Sequence, residues 1–296
     1  MDSIYLFIFY TFRFLVRNTP FFILNSTLSF LSYIVYFLDK KHRKIVSVNI
    51  NLSFGNKIKD NEKYQISKMC YKNLIYNLAD FIRNQGASNE EILSKVTFEN
   101  SSILEKSLEE NKKIIIMTGH YGNWELLPLA IAAKFTPLTV VGRDLDSKVI
   151  HKILKRNREQ FNINLLSKKG AMRGMIKSLK NNRPVGLLVD QNTKDTEGLL
   201  VDFFGKKVRH TPSVAILAKK FNAVIIPTFI FSNNDNTYNI KFFDPIIMNN
   251  TKDTEDDIFK CVQEQAKITE QVIREKPNEW FWLHKRWKNQ YKNYYN

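Results

Sequence analysis

Ile114-Ile115-Ile116-Met117-Thr118-Gly119-His120-Tyr121-Gly122-Asn123-Trp124-Glu125 is the stretch from which the fold can be read. An unbroken apolar run that stops at a glycine has the form of a buried strand, because a strand covered on both faces has no polar alternation. Gly119 and Gly122 then punctuate a turn, and Asn123 is placed to cap a new helix whose first turn holds Glu125, where a negative charge suits the helix dipole. Strand, turn and helix in that order are the unit of a parallel sheet.

The same rhythm continues outward. Residues 138–141, 185–189 and 224–231 read as further strands. Helical periodicity runs through 124–134, 147–160, 171–181 and 212–220, with a last helix over 254–275 that stops before Pro277. Upstream, Tyr64, Tyr71, Leu74, Ile75, Leu78 and Ile82 recur near a 3.6-residue period and predict a helix over 60–83. The expected fold is α/β: a mainly parallel mixed sheet flanked by helices on both faces, with an amino-terminal hydrophobic helical membrane anchor. With no repeat, low-complexity tract or Gly/Ser-rich linker, the chain divides most simply into an anchor at 1–40 and one catalytic domain at 41–296.

Residues 4–38 are almost entirely apolar or aromatic, interrupted by Arg13, Arg17, Asn18 and Pro20, and Phe21–Leu38 carries no charge. That stretch is just long enough to span a bilayer. Without a basic leading region or a small-residue cleavage site it does not read as a removable signal. The cluster Lys40-Lys41-His42-Arg43-Lys44 that follows places the body on the cytoplasmic side. Alternatively, Pro20 breaks the region into two helices lying in the interface, with Arg13 and Arg17 reaching lipid phosphates, or into a buried helical hairpin.

Across 296 residues, 45 Lys and Arg outnumber 29 Asp and Glu, for a net charge of +16. A polyanionic partner is favoured, be it nucleic acid, phospholipid or an acidic carrier protein. A hydrophobic content of 44% excludes a disordered chain. Cys70 and Cys261 form no Cys-x-x-Cys or Cys/His cluster, so neither a disulfide scaffold nor a zinc module is expected. Near the carboxyl terminus, Trp280, Trp282, His284, Arg286 and Trp287 mix aromatic rings with basic heads, which suits a lipid headgroup layer. Such a mixture can also stack single-stranded RNA. The nucleic-acid reading leaves the apolar amino terminus unexplained, and no nucleic-acid partner is expected.

His120 falls at the carboxyl end of a strand, where open α/β sheets bind their ligands. In one continuous helix, residues five apart would be rotated by roughly 140°, so His120 and Glu125 can meet only if the carboxylate folds back from the new helix onto the turn. One imidazole nitrogen would then be tied to the acid and the other left as a base. The sequence has no Gly-x-Ser-x-Gly elbow and no His-Glu-x-x-His. The proton to be removed therefore belongs to a substrate alcohol, which can attack a thioester directly without a covalent enzyme intermediate; neither a metal nor a cofactor is called for.

The block 120–125 resembles the His-x4-Asp/Glu block of glycerolipid acyltransferases, and as His-x-Gly-Asn-Trp-Glu it resembles the bacterial lipid A late acyltransferases. Gly142-Arg143, Lys168-Lys169-Gly170-Ala171-Met172-Arg173, Val189-Asp190-Gln191, Phe203-Phe204-Gly205 followed by Thr211, Ile225-Ile226-Pro227 and the run from Pro277 to Lys288 match that family in order. The resemblance implies transfer of a fatty acyl chain from acyl carrier protein to a hydroxyl of an anionic lipid A precursor, at the cytoplasmic face of the bacterial inner membrane. It carries the base to His120 and its acidic partner to Glu125, and gives Arg143 either phosphate binding or stabilisation of the developing oxyanion. Asp190 and Gln191 either border the site or cap the loop that follows; Arg173 either binds substrate or belongs to a solvated face. Two departures stand out: Asn51-Leu52-Ser53-Phe54-Gly55 in place of an Asn-Leu pair followed by Phe-Pro, and Arg156-Asn157-Arg158-Glu159-Gln160-Phe161-Asn162 where the family runs Arg-x-Arg-x-x-Phe-Gly. A glycerophospholipid acyltransferase and a non-catalytic basic membrane-binding protein are the alternatives.

Overall fold

The computed structural model describes residues 2–296, save Asn234 and Asn236. Eleven α-helices and nine strands lie within the described residues. The chain opens with four helices, α1 (Asp2–Asn18), α2 (Phe21–Leu38), α3 (Lys40–Phe54) and α4 (Asp60–Arg83), the last over the range that the periodicity predicts. There follow α5 (Asn89–Leu93), β1 (Val96–Glu99), α6 (Ser102–Glu109), β2 (Ile114–Thr118), α7 (Leu126–Lys134), β3 (Thr139–Gly142), α8 (Lys148–Arg158), β4 (Asn164–Ser167), α9 (Ala171–Lys180) and β5 (Val185–Leu188). A two-stranded hairpin, β6 (Leu199–Phe203) and β7 (Lys206–His210), precedes α10 (Ser213–Phe221), β8 (Val224–Ser232), β9 (Tyr238–Phe242) and α11 (Thr254–Glu275).

Seven strands form one sheet in the order β1-β9-β8-β2-β5-β3-β4. Neighbours are parallel throughout, except that β8 turns back antiparallel into β9. All five residues of the central strand β2 are buried. Because side chains alternate across a strand, Ile115 and Met117 enter the core beneath α9, α10 and α11, while Ile114 and Ile116 enter the one beneath α5, α6 and α7. Helices therefore cover both faces, as a mainly parallel sheet requires. The expected strands are all present. β1, β4, β9 and the β6–β7 hairpin were not foreseen.

Of the readings open for the amino-terminal stretch, a single spanning helix is not found. Among the described residues no single helix is long and apolar enough to cross a membrane, and Phe22–Leu38 passes such a test only together with Lys40–Phe54 across an 88° bend. α3 contributes Ile45, Val46, Ile50, Leu52 and Phe54 to the protein core, so it is not available to lipid. Pro20 divides the apolar stretch into two helices, whose Val16, Leu24 and Leu28 pack on Ile75 and Ala79 of α4. Their arginines face the protein instead of reaching outward: Arg13 donates to the Gln85 carbonyl at 2.7 Å, and Arg17 pairs with Glu91 at 2.8 Å. Outward stand Phe7, Phe14, Phe22, Phe30 and Phe37, all exposed.

The reading of the carboxyl-terminal aromatic run is corrected. Trp280, Trp282, Arg286 and Trp287 are buried, and the three indoles form one aromatic cluster with Phe203 and Phe204 in the main core. Trp and Arg suit a headgroup layer only when they are at a surface. Here Arg286 is 0% exposed, and its Nη1 donates to the carbonyls of Gln191 and Arg209.

Candidate active site

The register Thr118↔Leu188 between β2 and β5 brings the residues just past both strands to the same height on the carboxyl edge of the sheet. There His120 meets Asp190, not Glu125. Asp190 Oδ1 lies 2.8 Å from His120 Nδ1, and Oδ2 accepts the His120 backbone N–H at 2.9 Å and the Trp280 indole N–H at 2.7 Å. Gly119 allows the approach, since a Cβ there would come within 3.1 Å of the Asp190 carboxyl carbon. Burial of Asp190 favours the neutral acid. The imidazole's charge and hydrogen bond, the indole N–H and the backbone N–H outweigh it, and hold the carboxyl well below the usual carboxylate range.

An ionised Asp190 accepts and cannot donate, so Nδ1 carries a proton, and whenever the ring is neutral the lone pair is on Nε2. The imidazole is 23% exposed, between the half-buried rings of Trp124 and Phe281 with centroids at 5.5 and 6.2 Å. Gln191 Nε2 lies 3.2 Å from His120 Nε2. A hydroxyl brought to that nitrogen would meet a base in the correct tautomer, held from behind by a fixed acid.

The turn itself is clamped from three sides. Gly122 has φ +54°, and a Cβ there would lie 1.8 Å from the Ile230 carbonyl oxygen, so no side chain is tolerated. Its N–H donates to the Glu279 carbonyl at 3.0 Å, and Phe281 N–H donates to the His120 carbonyl at 2.9 Å. From α4, Asn77 donates to the Gly122 carbonyl at 2.7 Å. Asn123 accepts from Leu126 N–H at 3.2 Å and donates to Asp80 at 3.1 Å, while the N-cap position of α7 itself falls to Glu125, not to Asn123 as expected.

Glu125 points elsewhere. Its carboxylate takes both arms of Arg158, with Nε at 2.8 Å, and this pair ties the end of α8 against Gly142 at the end of β3. The expectation that Glu125 folds back onto His120 is thus corrected, because the imidazole's partner comes from the next strand. Arg143 stands exposed one residue beyond β3, and Arg173 exposed in the first turn of α9 beyond β4. Both lie on the edge that carries His120, without touching it, and Lys168 and Lys169 are exposed beside them.

Arg158, Trp280 and Arg286 hold the site residues and were not assigned this work from sequence. Nothing in the spacing signals Arg158, 33 residues from its partner, or Trp280, 90 residues from its own. Behind the site, Arg286 donates to Gln191 O at 2.8 Å and to His210 Nδ1 at 2.9 Å. His284 Nε2 accepts the Asn192 N–H at 2.8 Å. Burial first, and the Arg286 charge with it, pushes His210 down to about 3; burial chiefly pushes His284 down to about 4. Among the described residues no group of three or more His, Cys, Asp or Glu is placed to hold a metal ion. A cavity of about 550 Å³ beside the start of β8, lined by Phe243, Pro245, Ile247, Cys261 and Glu264 among others, shares no residue with the site.

No curated protein is found to match the chain. Residues 2–289, which include every element described above, match the family described as bacterial lipid A biosynthesis acyltransferase. With its His120–Asp190 edge, its α/β sheet and nearly its whole length inside that match, the chain belongs to the bacterial lipid A biosynthesis acyltransferase family.

Proposed function

We propose that this acyltransferase of lipid A synthesis moves a fatty acyl chain from the thioester of acyl carrier protein to a hydroxyl of an anionic lipid A precursor, with His120 as general base. The observation that carries the reading is the partly exposed imidazole, tied through Nδ1 to an ionised Asp190, with Nε2 on the far side of the ring from that acid. The hydroxyl gives its proton to Nε2 as its oxygen attacks the thioester carbonyl, and the departing thiolate takes that proton back. The thioester is already activated, so the step needs neither a cofactor nor a covalent enzyme intermediate. Arg143 and Arg173, exposed at neighbouring strand ends, are assigned to the precursor's phosphates, and a net charge of +16 suits both that lipid and an acidic carrier.

The division at residue 40 takes α1 and α2 as the membrane-docking part and 41–296 as the transferase domain. What supports it is the row of exposed phenylalanines on these two helices, whose inner side rests on α4. That helix also donates to the catalytic turn through Asn77. A helical pair lying in the interface would hold the His120 edge close to lipid, at the cytoplasmic face of the inner membrane. The test is transfer by full-length protein on anionic vesicles, with acyl carrier thioester and lipid A precursor. His120→Ala is expected to lower turnover by about 10²- to 10⁴-fold and to leave vesicle binding intact. Equal turnover by the variant would overturn the base, and acylation of lysophospholipid alone would overturn the acceptor.

A further inference from the structure

A general base is only half of acyl transfer, because the carbonyl oxygen becomes an anion and needs a donor placed for it. Five of the backbone amides around His120 are already committed. His120 N–H serves Asp190, Tyr121 N–H the Gly119 carbonyl at 2.8 Å, Gly122 N–H that of Glu279, Phe281 N–H that of His120, and Asn192 N–H the ring of His284. Arg143 stands past β3, two strands from β2 in the sheet order, about 10 Å to the side at the usual strand spacing. Directly beside the reacting nitrogen stands a movable side-chain donor, the amide of Gln191, 3.2 Å from His120 Nε2.

Resting on the transfer reading above, we propose that Gln191 is a catalytic residue: its amide caps the Nε2 lone pair while the site is empty, then turns to the oxyanion when the hydroxyl takes its place. In the neutral ring with Nδ1 protonated toward Asp190, Nε2 is an acceptor, and Gln191 Nε2, 3.2 Å away, is its donor. The backbone beneath is fixed, since the Gln191 carbonyl accepts from Arg286 at 2.8 Å and Asn192 is tied to His284 and, at 2.8 Å, to Asn289. The side chain is not; among the described residues its one hydrogen bond is the bond to His120. A fixed base with one swinging donor is what a two-position role demands.

In the first half of the step the hydroxyl oxygen bonds to the thioester carbon while its proton passes to Nε2, and the carbonyl π pair moves onto oxygen beside the Gln191 N–H. In the second half that pair re-forms the carbonyl, the C–S bond breaks, and the thiolate leaves with the proton from Nε2. The hydroxyl displaces the amide by roughly the width of one atom, so the donor stays within reach of the oxygen that becomes charged.

Full-length protein on vesicles, assayed with acyl carrier thioester and lipid A precursor, tests this with Gln191→Met, Gln191→Ala and Gln191→Glu beside the parent and His120→Ala. Methionine keeps the length without the donor, and a half-buried position tolerates it. Loss of one oxyanion donor predicts a kcat lowered by about 10²- to 10³-fold for Met and Ala, with KM nearly unchanged. The Glu variant is expected to fall at least as far and to move the acidic limb of kcat/KM to higher pH, since a carboxylate beside Nε2 favours imidazolium. A purely structural role would move unfolding and KM, not kcat alone. A parent active, His120→Ala silent and Gln191→Met at parental kcat would overturn this inference only. A parent silent with every acyl thioester would bring down the transfer reading itself.

Discussion

Two carboxylates flank the His120 turn and are used in opposite ways. Asp190 is buried, accepts three N–H groups from indole, imidazole and backbone, and backs the His120 ring. Glu125, from the family's own block, is partly exposed and spends both oxygens on Arg158. One acid sets a tautomer; the other sets where α8 and the end of β3 lie. Spacing along the chain does not decide which acid serves the histidine. The register of β2 against β5 does, by raising Asp190 to the height of His120.

Asp190→Asn is the strongest way to break this contrast. The amide's oxygen can still accept from Trp280 and from the His120 N–H, but its NH₂ then faces Nδ1 and forces the ring proton onto Nε2. The base is lost while the geometry survives, so kcat is expected to fall by about 10³- to 10⁴-fold, the order seen when a histidine base is held in the wrong tautomer. Parental unfolding and parental vesicle binding should accompany the loss. A variant within tenfold of the parent would show that Asp190 does not set the tautomer.

The Glu125 side should respond more weakly and as a unit. Glu125→Gln and Arg158→Met each remove one half of a largely buried bidentate pair, and contacting charged partners couple by about 0.5–3 kcal/mol. Each single variant is therefore expected to lose up to about 100-fold in kcat/KM, with no shift of the pH profile, and the double variant no more than the worse single. Losses that multiply would mean that Glu125 and Arg158 act separately on the substrate. A Glu125→Gln loss as deep as that of Asp190→Asn would erase the distinction between the two acids.

How far this was legible in sequence follows from which interactions are local. The run Ile114–Thr118 announces a central strand because both of its faces are buried, and the period of α4 is local in the same way. β4 and β9 escaped notice because their few residues mix polar and apolar types at or near the sheet edge, and β7, Lys-Lys-Val-Arg-His, carries the charges of a surface loop. Asp190 was recognisable as a residue at the right edge, but its partner depended on strand register. The aromatic-basic run was misread because Trp and Arg have the same composition in a headgroup layer and in a buried network. What separates the two is a supply of carbonyl acceptors such as Gln191 and Arg209, which only the fold provides. The family's Gly at the end of its Arg-x-Arg-x-x-Phe-Gly run stands here as Asn162 at φ +59°, a conformation that asparagine enters more readily than most residues.

The wall behind Asp190 has no counterpart on the Glu125 side, and acid should expose this. His210 and His284 sit neutral in the fold, pushed down to about 3 and about 4 against an ordinary 6.5. Between about pH 6.5 and 4 the unfolded chain therefore binds protons at both positions while the folded chain does not. Stability rises with pH across that window and is lost as pH falls, by up to about 1.4 kcal/mol per pH unit for each histidine. Asp190, whose carboxyl is depressed, keeps its contribution down to about pH 4 and loses it only as pH falls further, so the two sources separate on the pH axis. His210→Gln keeps an acceptor for Arg286 without the titration. Urea unfolding at pH 7 and pH 5 should show the parent losing more stability than this variant by about 1–2 kcal/mol. Equal losses would mean that His210 is protonated in the folded protein, and the buried Arg286 would then face a second charge across the 2.9 Å contact.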